Sequence, residues 1–270
     1  MDELAPAGGL TVAVTLTQSG YRLTKAGRIE PDEGRKQSPS EIRNREEAQE
    51  PQIWLRLTPD NTVTVIIGKS EMGQGVSTSL PMILADELDA DWKRVRFRMS
   101  PPGQEYQDPV WGTQTTGGST SVRHLFLPLR KAGAAAREML RKAASIRWGV
   151  GLKECEAIAG TIRNRRTGER FSFGQLSLEA SKLPVPVNPG LKKPTTRSGI
   201  IGKRLPRLDV PEKVKGTAVF GMDIFLPGML YGAVARPPAY GAWVISYDKK
   251  AAMQIAGVIR VLEIAGGVAV

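Results

Sequence analysis

Residues 63–88 constrain this chain more than any other stretch. A β-branched run, Val63-Thr64-Val65-Ile66-Ile67, leads into a glycine-rich turn, Gly73-Gln74-Gly75. Apolar residues at helical spacing follow: Val76, Leu80, Ile83, Leu84 and Leu88. A strand, a tight turn and a helix start, in that order, present backbone N–H groups and a glutamine carboxamide above a helix N-terminus. Such a place receives a phosphate or a polar cofactor well. A second version comes later, where Thr115-Thr116-Gly117-Gly118-Ser119-Thr120-Ser121 precedes a long helical pattern reaching about Trp148. Its glycines admit close approach, its hydroxyls donate, and the helix dipole favours negative charge. The plain alternative is an ordinary N-cap made by Ser119 or Ser121. Pro128 removes one helix hydrogen bond and is expected to kink the first turns or restart the helix.

Composition closes several routes. There is one cysteine, Cys155, and one histidine, His124. An internal disulfide, a cysteine-built metal or iron–sulfur site and a multi-histidine metal site are all excluded. Any redox centre is therefore a cofactor held by other groups, or it belongs to a partner. The net charge is +11, and residues 141–215 carry it all, with seventeen Lys/Arg against six Asp/Glu. That segment reads either as an anion-attracting surface or as a solvated basic region. Aromatics are not interleaved with its charges, as a nucleic-acid stacking platform would need, so no nucleic-acid partner is expected.

In chain order, residues 1–52 read as a flexible tail. Leu4–Leu16 is apolar, too short and polar to span a membrane, and similar to an export-signal core without the basic start. Residues 21–52 hold seven basic and seven acidic side chains and little apolar periodicity; 41–50 suits a short exposed helix. Ile53–Leu57 and Val63–Ile67 around Pro59-Asp60-Asn61 read as a hairpin. Val95–Met99 alternates like a strand with one wet face. Residues 157–173 suit a small hairpin, and Ser172–Leu183 a short helix capped by Ser172. Residues 184–197, with four prolines in fourteen positions, are the expected linker. Beyond it, strands are expected at Met229–Ala235 and Val258–Ile264 around a helix at Lys249–Gln254. The chain stops inside an apolar run, Gly266–Val270, so the second domain is expected to be incomplete. The fold class is α+β: a mixed sheet with packed helices over 53–183, then a smaller α/β piece over 198–270.

Three segments resemble the large subunit of the molybdenum hydroxylases, the xanthine dehydrogenase and aldehyde oxidase family, and within it the branch of the isoquinoline 1-oxidoreductase beta subunit. SEMGQGVSTSLPMILADELDADWKRV at 70–95 is similar to the glycine–glutamine–glycine cofactor motif and its helix. TTGGSTSVRHLFLPLRKAGAAAREML at 115–140 is similar to the second cofactor loop. GKRLPRLDVPEKVKGTAVFGMDIFLPGMLYGAVARPP at 202–238 is similar to the start of the hammerhead domain. The resemblance implies a partial molybdopterin-binding domain followed by an incomplete hammerhead domain. It implies a molybdopterin cofactor, in the cytosine dinucleotide form, whose metal is held by the pterin's own dithiolene. Gly73, Gln74 and Gly75, with Gly117, Gly118, Ser119 and Ser121, match its cofactor-binding positions. It further implies water-derived hydroxylation of an aldehyde or N-heterocycle, with electrons passed to a small [2Fe-2S] subunit. Periplasmic or membrane-associated placement is common in the branch, although no twin-arginine signal is present here.

The departures bear on catalysis. The family's general-base glutamate lies far toward the C-terminus of a longer chain, so no catalytic residue and no protein metal ligand is assigned within these 270 residues. Glu71 matches a non-catalytic position beside the turn and is not taken as the base. Either a complementary C-terminal chain completes the site, or this is a docking module that binds a partner subunit without cofactor. No integral membrane segment is expected.

Overall fold

Leu10, Val12, Val14 and Leu16 alternate with Thr11, Ala13, Thr15 and Thr17, a period of two that suits a strand. Leu10–Thr17 is one (β1), and Gly20–Lys25 is the next (β2). The structure, a computed structural model, describes residues 10–17, 20–25, 52–103, 106–108, 110–193 and 199–270. Strands β3 (Gln52–Leu57), β4 (Val63–Ile67) and β5 (Val95–Met99) complete a five-stranded sheet in the order β2-β1-β3-β4-β5. The flexible-tail reading of 1–52 is thus corrected over 10–17 and 20–25. The partner for β1 is β3, some forty residues on, with Leu10 opposite Leu57 and Val12 opposite Leu55. A local reading of apolar residues near a chain start cannot see that pairing. Residues 26–51, including the helix expected at 41–50, lie outside the described residues.

The neighbours β1/β2, β1/β3 and β3/β4 are antiparallel, whereas β4 and β5 are parallel, Val63 opposite Val95 and Ile67 opposite Met99. A parallel pair needs a crossover, and helix α1 (Val76–Leu88) supplies it. The long helix α2 (Thr120–Trp148) packs beside α1 and runs through Pro128 as one element, so of the expected kink or restart the restart does not occur. The core lies between these helices and one face of the sheet. Leu80, Leu84 and Leu88 of α1 and Leu129, Ala132, Ala136 and Leu140 of α2 meet Leu55, Leu57, Val63 and Val65, all essentially inaccessible to solvent. Each such leucine is worth about 1.5–3 kcal/mol of burial. The two helices touch at Gly133, where an added Cβ would stand 2.5 Å from the Leu84 carbonyl oxygen.

A second sheet, in the order β6-β7-β8, is formed by Cys155–Ile158 (β6), Thr161–Asn164 (β7) and Arg170–Ser172 (β8). Helix α3 (Phe173–Ser181) follows with the expected Ser172 cap, in a capping box with Gln175. Cys155, Ile162, Phe173 and Leu176 join the same core.

The proline-rich stretch is not a free linker where it is described. The Gly190 N–H donates to Glu138, Arg137 donates to the Gly190 carbonyl, and the Lys192 ammonium donates to the Asp86 carbonyl and pairs with Asp89. Glu87, 1% exposed, binds Arg130, Arg137 and the Lys192 N–H, which is how a carboxylate is tolerated inside. The N–H groups of Ile200 and Ile201 donate to Asp86. This stretch is a strap tied to the C-terminal half of α1, and the compact unit continues to Gly216, through α4 (Val210–Val214).

Residues 217–270 form a second unit. It holds β9 (Val234–Ala235), α5 (Lys249–Met253, capped by Asp248), β10 (Leu262–Ile264) and β11 (Gly267–Ala269) in a three-stranded sheet of order β10-β11-β9. The strands expected at 229–235 and 258–264 shrink to these short pieces. Only Val261 and Val268 among its large apolar residues are buried.

Candidate functional site

Because β4 and β5 run parallel, their C-terminal ends leave the sheet side by side. Ligands collect at such ends in sheets with parallel strands. The turn 68–75 follows β4, and the loop 100–119 follows β5. The two are bonded together. The Ser70 N–H donates to the Thr116 hydroxyl at 2.8 Å, and the Lys69 ammonium donates to the Thr115 carbonyl at 2.9 Å. At Gly68 an added Cβ would lie 2.7 Å from the Tyr106 carbonyl oxygen, so glycine is required where the second loop crosses the first.

The first turn is closed by its own acid. The Glu71 carboxylate accepts from the N–H groups of Gly73 (2.8 Å), Gly75 (2.9 Å) and Ser77 (2.9 Å) and from the Ser77 hydroxyl (2.7 Å). Gly73 and Gly75 have φ of +98° and +88°, a conformation that favours glycine. Burial opposes ionisation of Glu71, but these four donors outweigh it and hold its pKa at about 2. The N–H cradle expected to face a ligand is therefore filled from within. Gln74 is exposed, and its carboxamide folds back on the turn, donating to the Ser70 carbonyl (2.8 Å) and accepting from the Met72 N–H (2.5 Å). An amide has four hydrogen-bonding positions, so capacity remains for a ligand. Open space lies over Gly73, where an added Cβ meets nothing within 4 Å.

The second loop is anchored from below by Asp108, which is 1% exposed. It accepts from the Lys69 ammonium (2.5 Å), the His124 Nδ1–H (2.8 and 3.0 Å) and the N–H groups of Val110 and Trp111. Burial pushes its pKa up, but the bonds from Lys69, Val110, His124 and Trp111 prevail and hold the carboxyl well below the usual range. The Trp111 ring stands edge-on to His124 and covers Gly118, whose φ is +56°. Ser119 is also left-handed (φ +53°), and its hydroxyl makes no capping bond. The N-cap expected of Ser119 or Ser121 is not what starts α2; Thr120 instead returns its hydroxyl to the Gly117 carbonyl (2.9 Å). The first turn of α2 carries no acidic side chain.

The predicted residues thus fall on two adjoining loops, Gly73, Gln74 and Gly75 on one and Gly117, Gly118, Ser119 and Ser121 on the other. Lys69, Asp108 and His124, which hold the loops together, were not singled out from the sequence. Lys69, one glycine beyond an apolar strand, is the available signal, since a buried lysine needs an acid. Among the described residues no cluster of three or more His, Cys, Asp or Glu is placed to bind a metal ion, and no helix is long and apolar enough to cross a membrane. Several basic residues of 141–215 are spent internally. Arg141 caps the carbonyls of Leu152 and Cys155, Arg163 and Arg165 pair with Glu156, and Arg147 lies over the Phe171 ring.

Carboxamide, hydroxyl and glycine backbone fit a polar, anionic organic group that brings its own metal ligands. Comparison with known proteins points the same way. Residues 12–199 match the molybdopterin cofactor-binding domain family. The chain is 34% identical to the beta subunit of isoquinoline 1-oxidoreductase from Brevundimonas diminuta over 254 residues, covering 82% of this chain and 32% of that protein. It is 36% identical to the membrane-bound aldehyde dehydrogenase [pyrroloquinoline-quinone] of Gluconacetobacter polyoxogenes over 228 residues, covering 80% and 28%. With a nicotinate dehydrogenase subunit from Pseudomonas putida the identity is 28% over 220 residues, covering 78% and 18%. The chain spans about a third or less of the length of these relatives.

Proposed function

The chain belongs to the molybdopterin cofactor-binding domain family, and on that premise we propose that residues 10–216 form one wall of a molybdopterin site in an oxidoreductase acting on an aldehyde or N-heterocycle. The observation that carries this reading is the joining of the two glycine-rich loops at the C-terminal ends of β4 and β5. Gln74 offers its spare carboxamide positions to the cofactor. Ser119 and Ser121 offer free hydroxyl capacity at the start of α2 to its pterin or phosphate portion, and Gly117 and Gly118 admit close backbone approach once the half-exposed Trp111 ring over Gly118 swings aside, the cytosine dinucleotide form being our choice. Gly73 and Gly75 hold the turn that carries Gln74. When bound, the group supplies the two-electron redox chemistry and the metal centre; this chain's part is to bind and orient it. Electrons would leave to a small [2Fe-2S] subunit, and the proton chemistry would need residues from a complementary C-terminal polypeptide. Residues 217–270, the second unit, are read as part of the beginning of a hammerhead domain; the expected boundary near 198 moves to 216/217 because residues 200–209 bond to α1 and the turn before it.

Molybdenum and pterin content, measured after co-expression with a small iron–sulfur subunit and the complementary polypeptide, tests the reading. Gln74→Ala is expected to lower both together by about tenfold, the order of one lost charge-assisted hydrogen bond. Unchanged molybdenum content would remove Gln74 from the site.

A second reading, a docking module without cofactor, is favoured by a different observation. In residues 217–270, Met222, Tyr240, Trp243 and Ile245 are each more than three-quarters exposed. Large apolar side chains exposed to this degree support a surface that another polypeptide covers. Protein recovered in a stable complex with a partner yet free of molybdenum and pterin would decide for it.

A further inference from the structure

The Gly73–Ser77 turn has a second tie, from more than 130 residues away. Arg207 forms a two-pronged pair with Asp209 (2.9 and 2.7 Å) and directs its remaining N–H groups to the turn. Nη1 donates to the Gly73 carbonyl (3.1 Å), and Nη2 reaches a Glu71 oxygen (3.3 Å). The neighbouring Leu208 N–H donates to the Thr78 hydroxyl in the first turn of α1 (3.0 Å). Asp209, 5% exposed, also takes the Lys213 ammonium (2.6 Å). Both faces of the turn are held: its N–H groups by Glu71, and its outward carbonyl by Arg207.

Glu71 does what a bound phosphate does at a glycine-rich helix start. Its two oxygens take three backbone N–H groups and a hydroxyl, and a guanidinium lies beside them. The N–H groups of Gly73, Gly75 and Ser77 each already have an anionic acceptor within 2.9 Å. A second anion entering there would meet the Glu71 charge at contact distance.

We infer that Glu71 is the built-in anion of this turn and, with Arg207, the pair of positioning residues that presents Gln74, so that the start of α1 is closed to phosphate. The consequence for Gln74 rests on the reading above that Gln74 faces the cofactor; the closure to phosphate does not. Neither residue is catalytic. Glu71 sets the path of the turn through three amides, and Arg207 fixes that turn to the segment 207–209. Glutamine at position 71 would offer one acceptor oxygen in place of two and would turn its own N–H groups toward backbone N–H groups.

Two measurements on the full chain test this. In the first, amide exchange and chemical shifts of Gly73, Gly75 and Ser77 are followed at neutral pH while inorganic phosphate is titrated. The wild type is expected to keep these amides protected and unmoved. Glu71→Gln is expected to speed their exchange at least tenfold, leave Leu84 and Leu140 unchanged, and render the three amides responsive to phosphate. Wild-type amides that shift with phosphate, or unchanged protection in the variant, would overturn the inference. Glu71→Ala is read only if Glu71→Gln does not fold. The second measurement is molybdenum and pterin content in the co-expressed complex. Glu71→Gln is expected to lower it about fivefold, and Arg207→Lys, which keeps the charge but not the two-pronged geometry, about twofold. Full content in both variants would refute the link to Gln74. A wild-type complex without molybdenum or pterin would overturn the cofactor reading itself, while the exchange data would still judge Glu71.

Discussion

The two glycine-rich loops look alike in sequence and differ in how their hydrogen bonds are met. Each places glycine in the left-handed region just ahead of a helix. In the first loop an acid two to six residues away satisfies the N–H groups, so the turn is self-contained. In the second, no side chain caps α2, and the loop is held instead from beneath by buried Asp108. A glycine turn before a helix is thus not in itself an anion site. What matters is whether the chain supplies the anion.

Asp108→Ala breaks the comparison hardest. It strips Lys69, 2% exposed, of its carboxylate and releases His124 and two loop amides. Breaking a buried pair costs about 3–5 kcal/mol, measurable by denaturant unfolding. The amides of the second loop are expected to lose protection while Gly73, Gly75 and Ser77 keep theirs. Loss of both would mean that one anchor serves both loops.

Removal of the first loop's acid costs less and depends on pH. Glu71 has its pKa lowered from 4.5 to about 2 in the folded chain. Its contribution is therefore complete above about pH 5 and is lost as the pH falls toward 2. The stability gap between wild type and Glu71→Gln, about 2 kcal/mol at neutral pH for lost charge-assisted bonds, is expected to narrow over that window. A gap independent of pH would assign the effect to packing.

Gly118→Ala probes the second loop at its tightest point. The new Cβ would stand 2.7 Å from the Trp111 ring at a φ of +56°. The exposed ring can swing aside, so about 1 kcal/mol is expected, mostly backbone strain, together with a change in Trp111 fluorescence. The smallest effect belongs to Ser119→Ala. With no capping bond to lose, its stability change is expected to stay within about 0.5 kcal/mol, whereas a true N-cap would cost about 1 kcal/mol. A loss of that size would restore the capping role and weaken the case for a free hydroxyl at the site.

Much of the fold was legible because its signals are local. Val63–Ile67 and the 76–88 spacing specify a strand and a helix from their own side chains, and Ser172 with Gln175 spells out a cap. Strands β1 and β2 were missed because their signal is completed by β3 across an intervening segment. In the proline-rich stretch the prolines advertise irregular backbone but not the acids Glu87 and Asp89, at the end of α1, that bind Lys192.

By itself the sequence determined the α+β class, the order of elements from β3 to α2 and the placing of two glycine turns before two helices, because periodicity and glycine chemistry act over a few residues. Only the tertiary structure decided who answers each polar group: Glu71 for the first turn, Asp108 for Lys69 and His124, Arg207 for the Gly73 carbonyl. Hydrogen-bond partners are chosen by proximity in space. The parallel pairing of β4 and β5 brings the two loops to one end of the sheet.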